Sequence, residues 1–515
     1  MLDINLSPNV RPAESTEKAS NPKGRLRAFF SDKYNLVFIF ILIFAFAVRL
    51  YFFFLTKNQT VWWDEAEYLD MAKHWALGTP FAIGSNRMPL FPFLIYIFMK
   101  LGASEILTKF FVSVAPSLFA VFVTYVIAKE FFDKKTALIS SFIMAVFWEL
   151  LFWTNRFQPD MLAIVFNASA IYFFYKGLKN QNFKYAVLVA LFFALSFLTR
   201  TSGLLVPMII FPAALIFDNA SLFKKKKLAY YGAMVLFSLL FLGPYFFWSN
   251  TQFGTPFGFM GAVAPPSVTQ RPPAFDVLNV FNTYLNPLLF VFFIIGLLSI
   301  LQFVLIIDKI KLSNLSEDTK RSILFLLWLL IPLLFFIFYV RALEPRWLYI
   351  IAPATFILAA RGLETVRAFL SRFNRVLAII VIISILLVGA YMQINEANNI
   401  ITVKKDTYAQ VKDAALWMKE HSTGTDVLAS ISQPQTLYYS DRETVMYSET
   451  NETSIVAFLE TYKPKYLTIS IFELHPEYIY NYVREHNSTF VPVQAFFLDS
   501  QQSKPALVVY EVKYD

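Results

Sequence analysis

Long apolar runs separated by short charged loops dominate the chain up to residue 396. Runs over residues 35–56, 106–128, 136–153, 160–177, 185–199, 203–217, 228–248, 281–307, 323–340, 346–360 and 375–393 predict membrane-spanning helices, about eleven crossings. The loops rich in Lys and Arg are Lys23 to Lys33, Lys129 to Lys135, Lys176 to Lys184, Lys224 to Lys227, Asp308 to Arg321 and Arg361 to Arg375. Positive charge is retained on the cytoplasmic side, so these six are expected inside. Alternation then puts on the opposite face the loop of Asp64, the turns Asn155 to Asp160, Thr199 to Ser202 and Arg341 to Arg346, the loop Asn250 to Asn279, and the C-terminus. One apolar stretch, Pro89 to Leu101, is about half the length of a span and reads as a re-entrant or interfacial helix.

From Ala397 the apolar stretches shorten and polar residues take over. Helical periodicity covers Tyr408 to Glu420 and Ile455 to Tyr462, and strand patterns cover Val427 to Ile431, Tyr466 to Ser470 and Ala506 to Val512. The expected organisation is a cytoplasmic tail (1–33), a multi-pass α-helical membrane domain (34–396) whose first outer loop is 57–88, and a small α/β domain (397–515) outside the membrane. No internal repeat supports a solenoid or an inverted-repeat transporter.

Composition agrees: 57% hydrophobic residues with only 16% charged cannot coat one soluble globule. The net charge of +9 sits in the short loops, so it reports topology and gives no reason to invoke nucleic acid. With no cysteine, disulfides, thiolate metal sites and cysteine nucleophiles are excluded. No signal-peptide cleavage pattern precedes Tyr34 to Leu55, which reads as a retained signal anchor.

The chemistry-bearing candidates fall on the expected outer face. Trp62-Trp63-Asp64-Glu65-Ala66-Glu67-Tyr68 opens a helix running to about Leu77, with acids in its first turn. Such acids complement the helix dipole, so a cap at a membrane interface accounts for them as well as a general base does. Asp160, at the start of its span, equally fits an ordinary N-terminal cap. Arg87, Arg200, Arg341 and Arg346 stand on the face that positive charge avoids, with Tyr349 beside the last two. Their planar forks suit phosphate, so outer carboxylates with outer arginines match a phosphate-bearing lipid and an activated acceptor.

In this company the chain resembles the GT-C membrane glycosyltransferases that use polyprenyl-phosphate sugars, in the branch containing the protein O-mannosyltransferases and the lipid A aminoarabinose transferase. The likeness rests on ordered motifs through the membrane region. They are Trp63-Asp64-Glu65-Ala66-Glu67-Tyr68, Arg87-Met88-Pro89-Leu90-Phe91-Pro92, Arg156 to Asp160, Thr199-Arg200, Phe253-Gly254-Thr255-Pro256 and Glu344-Pro345-Arg346-Trp347-Leu348. The resemblance implies an inverting transfer of sugar from a dolichyl or undecaprenyl phosphate to a protein, glycan or lipid acceptor. It implies Asp64 as the acid that activates the acceptor, Glu65 as its support, and Asp160 as the second active-site acid. Arg87, Arg200, Arg341, Arg346 and Tyr349 are the candidates for the donor phosphate.

Some relatives carry an acid and a lysine just before the proline where this chain has Arg87 and Met88, which weakens transfer of a metal site or of the aminoarabinose substrate. A divalent ion on Asp64 and Asp160 stays open, since hard cations prefer oxygen ligands. The membrane would be the cell membrane in a prokaryote and the endoplasmic reticulum in a eukaryote. The contrasting reading is a lipid-linked-sugar transporter or flippase. Acids at span ends on one face, rather than at mid-membrane, favour the enzyme.

Overall fold

The computed structural model describes residues 30–81, 87–180, 182–218, 222–258, 276–305, 315–340, 344–499 and 501–514. Its membrane part is all helix: α1 (Lys33–Thr56), α2 (Trp63–Leu77), α3 (Leu90–Lys100), α4 (Glu105–Phe131), α5 (Lys134–Val146), α6 (Trp148–Thr154), α7 (Asp160–Asn180) and α8 (Phe183–Thr199). There follow α9 (Thr201–Asp218), α10 (Lys225–Phe253), α11 (Asp276–Leu305), α12 (Glu317–Tyr339), α13 (Pro345–Leu370) and α14 (Arg375–Lys404). Each of the eleven predicted runs is helical over its described residues, apart from a break at Phe147 in the third. Eight helices among the described residues are long and apolar enough to cross a membrane by themselves, and α5 with α6 makes a ninth if that pair is one span bent by 54°. Of the remaining two runs, α8 is a 17-residue apolar helix and α11 contributes the apolar segment Pro287–Leu301. The stretch that disturbed the count, α3, has 11 residues. At 1.5 Å per residue it spans about 16 Å, half of what a crossing requires.

Large apolar side chains such as Phe40, Phe211, Leu236 and Ile383 are exposed on these helices, as a lipid-facing surface demands, while Phe131, Phe174, Trp328 and Phe356 fill the interior. The basic loops expected on one side meet one another. Lys134 pairs with Asp32 at 2.5 Å, Lys176 with Glu130 at 2.7 Å, and Tyr175 donates to Glu317 at 3.3 Å.

The bend between α5 and α6 has an identifiable lock. Phe147 leaves helical geometry at φ −62°, ψ 121°, and the Trp148 N–H is taken by Gln393 Oε1 at 3.0 Å. The Ala145 carbonyl accepts instead from Arg49 Nη1 at 2.9 Å, and the same guanidinium donates to the Ala45 carbonyl and to Ser117 Oγ. A buried cation is thus satisfied by oxygens rather than by an acid.

The compositional boundary at Ala397 lies inside α14. Its 30 residues make about 45 Å, longer than the hydrocarbon core, so the helix projects beyond it. Ala397 and Ile401 pack on Phe52, Leu151 and Phe152 along that projection. The C-terminal domain proper comprises α15 (Ala409–Glu420), β1 (Leu428–Ala429), α16 (Gln433–Ser440), β2 (Thr444–Val445), α17 (Glu452–Tyr462), β3 (Tyr466–Ser470), α18 (Glu477–Glu485), β4 (Phe490–Phe497) and β5 (Pro505–Val512). Strand order is β2-β1-β3-β5-β4, parallel across β2, β1 and β3, and antiparallel across β3-β5-β4, with Leu428 opposite Tyr466 and Ile469 opposite Val508.

Candidate active site

Four separate segments converge at the N-terminal half of α2. The helix starts at Trp63 because Glu65 reaches back to accept the Trp62 N–H at 2.9 Å, the side-chain half of a capping box. It stops at Gly78, whose φ of +70° gives the left-handed turn that ends helices cheaply only at glycine. Glu65 is fully buried. Its carboxylate also accepts from the Phe157 N–H at 2.7 Å and from Arg156 Nη1 at 2.8 Å, and Arg156 lies 3.3 Å from the Trp62 ring centroid. Breaking such a buried pair leaves an uncompensated charge, so Glu65 fixes α2 to the turn before α7.

Neighbours in a helix point to different faces, and Asp64 looks elsewhere. Its Oδ1 accepts from Arg87 Nη2 at 2.5 Å and its Oδ2 from Arg346 Nη1 at 2.8 Å. Arg87 is shared with Glu67, three residues on from Asp64 and on the same face, and lies 5.3 Å from the Tyr68 ring centroid. Arg346 is shared with Glu344 and stands 5.0 Å from the Trp153 ring centroid. Burial pushes the Asp64 carboxyl up, but Arg87 and Arg346 outweigh it and hold it below the ordinary range. For Glu67, burial outweighs Arg87 and the carboxyl lies above its ordinary value. Two acids sharing one guanidinium are thereby shifted in opposite directions, Asp64 down and Glu67 up.

Asp160, the first residue of α7, is buried with Oδ1 on Arg200 Nη1 at 2.5 Å and Oδ2 without a hydrogen-bond partner among the described residues. Tyr68, buried beneath Arg87, feels the charges of Arg87, Arg200, Asp64 and Asp160. Tyr349, also buried, donates to Glu149 Oε2 at 2.6 Å.

Of the residues singled out from sequence, Asp64, Arg87 and Arg346 come together directly, with Asp160 and Arg200 beside them. Glu65 is consumed in holding the helix, Tyr349 faces Glu149, and Arg341 lies outside the described residues. Glu67, Tyr68 and Glu149 were missed. The first two could have been found by helical spacing from Asp64, and Glu149 as the acid inside an otherwise apolar run. Among the described residues no group of three or more His, Asp or Glu gathers as a metal site. Both Asp64 oxygens are taken by guanidinium groups, a donor set that does not fit a divalent ion in this arrangement.

Apolar helices in this order, capped by a small α/β domain and joined to acids and arginines at one end, define an integral multi-pass membrane protein with the GT-C fold. Residues 86–248, which include Arg87, Asp160 and Arg200, match the family model for dolichyl-phosphate-mannose-protein mannosyltransferase. The oligosaccharyltransferase of Archaeoglobus fulgidus in its apo form aligns at a TM-score of 0.65 with 14% identity, covering 84% of this chain and 69% of that one. The same archaeal enzyme in complex with an inhibitory peptide and a dolichol-phosphate aligns at 0.60, 14%, 84% and 69%. ArnT from Cupriavidus metallidurans bound to undecaprenyl phosphate aligns at 0.60 with 12% identity, covering 95% of this chain and 98% of that one. No curated protein sequence matches.

Proposed function

We propose that the protein is a membrane glycosyltransferase that moves a sugar from a polyprenyl phosphate to a protein, glycan or lipid acceptor on the extracytoplasmic face. The observation that carries this reading is Asp64 held between Arg87 and Arg346. Support comes from solved proteins of the same fold that bind dolichol-phosphate and undecaprenyl phosphate.

In the reaction, the acceptor oxygen or nitrogen forms a bond to the anomeric carbon as the bond from that carbon to the phosphate oxygen breaks. The bonding pair leaves with the lipid phosphate, and the acceptor proton moves to the Asp64 carboxylate. No covalent enzyme intermediate is required, and the sugar inverts. Arginine forks stabilise the charge gathering on the phosphate. A donor phosphate drawing on Arg87 and Arg346 loosens their hold on Asp64, and burial then makes that carboxylate a stronger base as the donor arrives. The open oxygen of Asp160 is placed to accept a second hydrogen bond from the incoming sugar or acceptor.

The test is incubation of the purified protein with a panel of polyprenyl-phosphate sugars and an acceptor mixture, with detection of free polyprenyl phosphate and Asp64→Asn as control. Release from at least one donor by wild type alone is expected. No release from any donor, or equal release by the variant, overturns the assignment.

A further inference from the structure

The helix that carries Asp64 is gripped at both ends by the C-terminal domain. Just before α2, the Val61 N–H donates to Tyr439 Oη at 3.0 Å and Trp62 Nε1 donates to Thr407 Oγ1 at 3.1 Å. Nearer the other end, Lys73 Nζ donates to the Tyr438 carbonyl at 3.0 Å, lies 5.0 Å from that ring's centroid and pairs with Asp441. Asp441 follows the last residue of α16 in the left-handed conformation, φ +57°, which Asp tolerates better than most residues, and its other oxygen pairs with Lys419 at 2.5 Å. Tyr438 is buried in the same apolar cluster as Ala66, Tyr68 and Leu69, and its Oη donates to Glu105 Oε2 at 2.9 Å.

An appended module would need a tether and nothing more, and α14 already supplies one. Instead α16 reaches past that tether to hold the backbone three residues ahead of Asp64 and the side chain nine residues beyond it. We infer that α16 is a clamp that positions Asp64, with Tyr439 and the Lys73–Asp441 pair setting the orientation of α2 that places the carboxylate between Arg87 and Arg346. The inference rests on the glycosyl-transfer reading for its catalytic consequence and on geometry alone for the clamp. The clamp acts on the chemical step, because a reacting group displaced by 1 Å loses on the order of 10²-fold in rate while contacts to the rest of a long lipid donor persist.

The experiment uses the full chain. Tyr439→Phe removes one oxygen and keeps the ring; combined with Lys73→Met, it is expected to lower kcat by about tenfold or more with donor KM within about twofold. Amide hydrogen exchange over residues 61–77 is expected to accelerate in the same variant while exchange in α15 stays as in wild type. The native chain has no cysteine, so Lys73→Cys with Asp441→Cys, closed by a short bis-maleimide, gives a rescue arm in which the linked form regains rate over the unlinked one. Unchanged exchange over α2, a loss that falls entirely in donor KM, or a linked form no faster than the unlinked one overturns the clamp. A wild-type chain that transfers no sugar, with exchange over α2 still sensitive to Tyr439→Phe, overturns the enzymatic reading and leaves the clamp standing.

Discussion

Asp64 and Arg346 lie 282 residues apart in the chain, and their side chains meet at 2.8 Å. The contact joins the first turn of α2 to the opening turn of α13, and Arg87 closes the other side of the carboxylate. Taking the two charges partly out of water costs free energy that their attraction offsets only where the geometry is good. Here the same guanidinium that holds the resting carboxylate is the group a lipid phosphate would seek.

That sharing separates the effects of the two residues. Asp64→Asn keeps the shape and removes the base, so transfer should fall by about 10²- to 10⁴-fold with the donor still bound. Arg346→Ala should raise donor KM by about tenfold or more, a charge-assisted hydrogen bond being the contact removed, and should change acceptor KM less. Steady-state kinetics with each substrate varied in turn checks both. The reverse split for Arg346 would contradict its phosphate role.

The acid limb of the rate reports the same cluster. Arg87 and Arg346 hold the Asp64 carboxyl below the ordinary carboxylate range against the effect of burial, so the acid limb of kcat/KM, which reports the free enzyme, should lie below that range. Because its folded pKa is depressed, the stability it contributes is present above the unfolded value and is lost as pH falls through the folded one. Arg87→Gln removes one of the two opposing cations and leaves burial less opposed. The acid limb should then move to higher pH, and a pH–rate profile in which it stays or moves down would show that the Asp64 carboxylate is not the titrating base.

Much of this was legible in the sequence. The predicted loop parity puts Asp64, Asp160, Arg87, Arg200 and Arg346 on one face, and the acidic first turn marks the start of α2, with its end expected near Leu77. The roles within the cluster were not. Adjacent acids look alike in one dimension, and only the packing of the turn before α7 shows Glu65 buried on Arg156 while Asp64 faces the arginines. In the C-terminal domain the strand pattern over Val427 to Ile431 falls on β1, but β2 has two residues and α16 eight, too few for periodicity to separate them from loop, so the element that touches α2 was invisible.

Asp160 and Arg200 form the second pair, 40 residues apart and at 2.5 Å. Asp160→Asn leaves Arg200 without its counter-charge and alters the open oxygen, so kcat should fall by about 10²-fold or more. Groups that act as a unit are not additive. Adding Arg200→Gln to Asp160→Asn should therefore cost less than the product of the single losses, and multiplicative losses in a double-mutant cycle on kcat would show the two act independently.

The position of Arg346 depends on α13, and α13 is seated against α11 through two glycines. A Cβ at Gly296 would lie 1.8 Å from the Leu358 carbonyl oxygen, and one at Gly362 would lie 1.9 Å from the Phe292 carbonyl oxygen. Both obstacles are backbone, so no side chain can rotate away and the helices must separate. Gly362→Ala should destabilise the protein by about 1–3 kcal/mol, despite the gain in helix propensity of about 1 kcal/mol that alanine brings to a helix interior. Gly389, in α14, is the internal control, since a Cβ there meets only Leu288 Cδ2 at an ordinary 3.7 Å. Thermal unfolding in detergent should show Gly362→Ala below wild type and Gly389→Ala at or above it. If the two shift alike, close packing of α11 on α13 does not fix the end of α13 that carries Arg346.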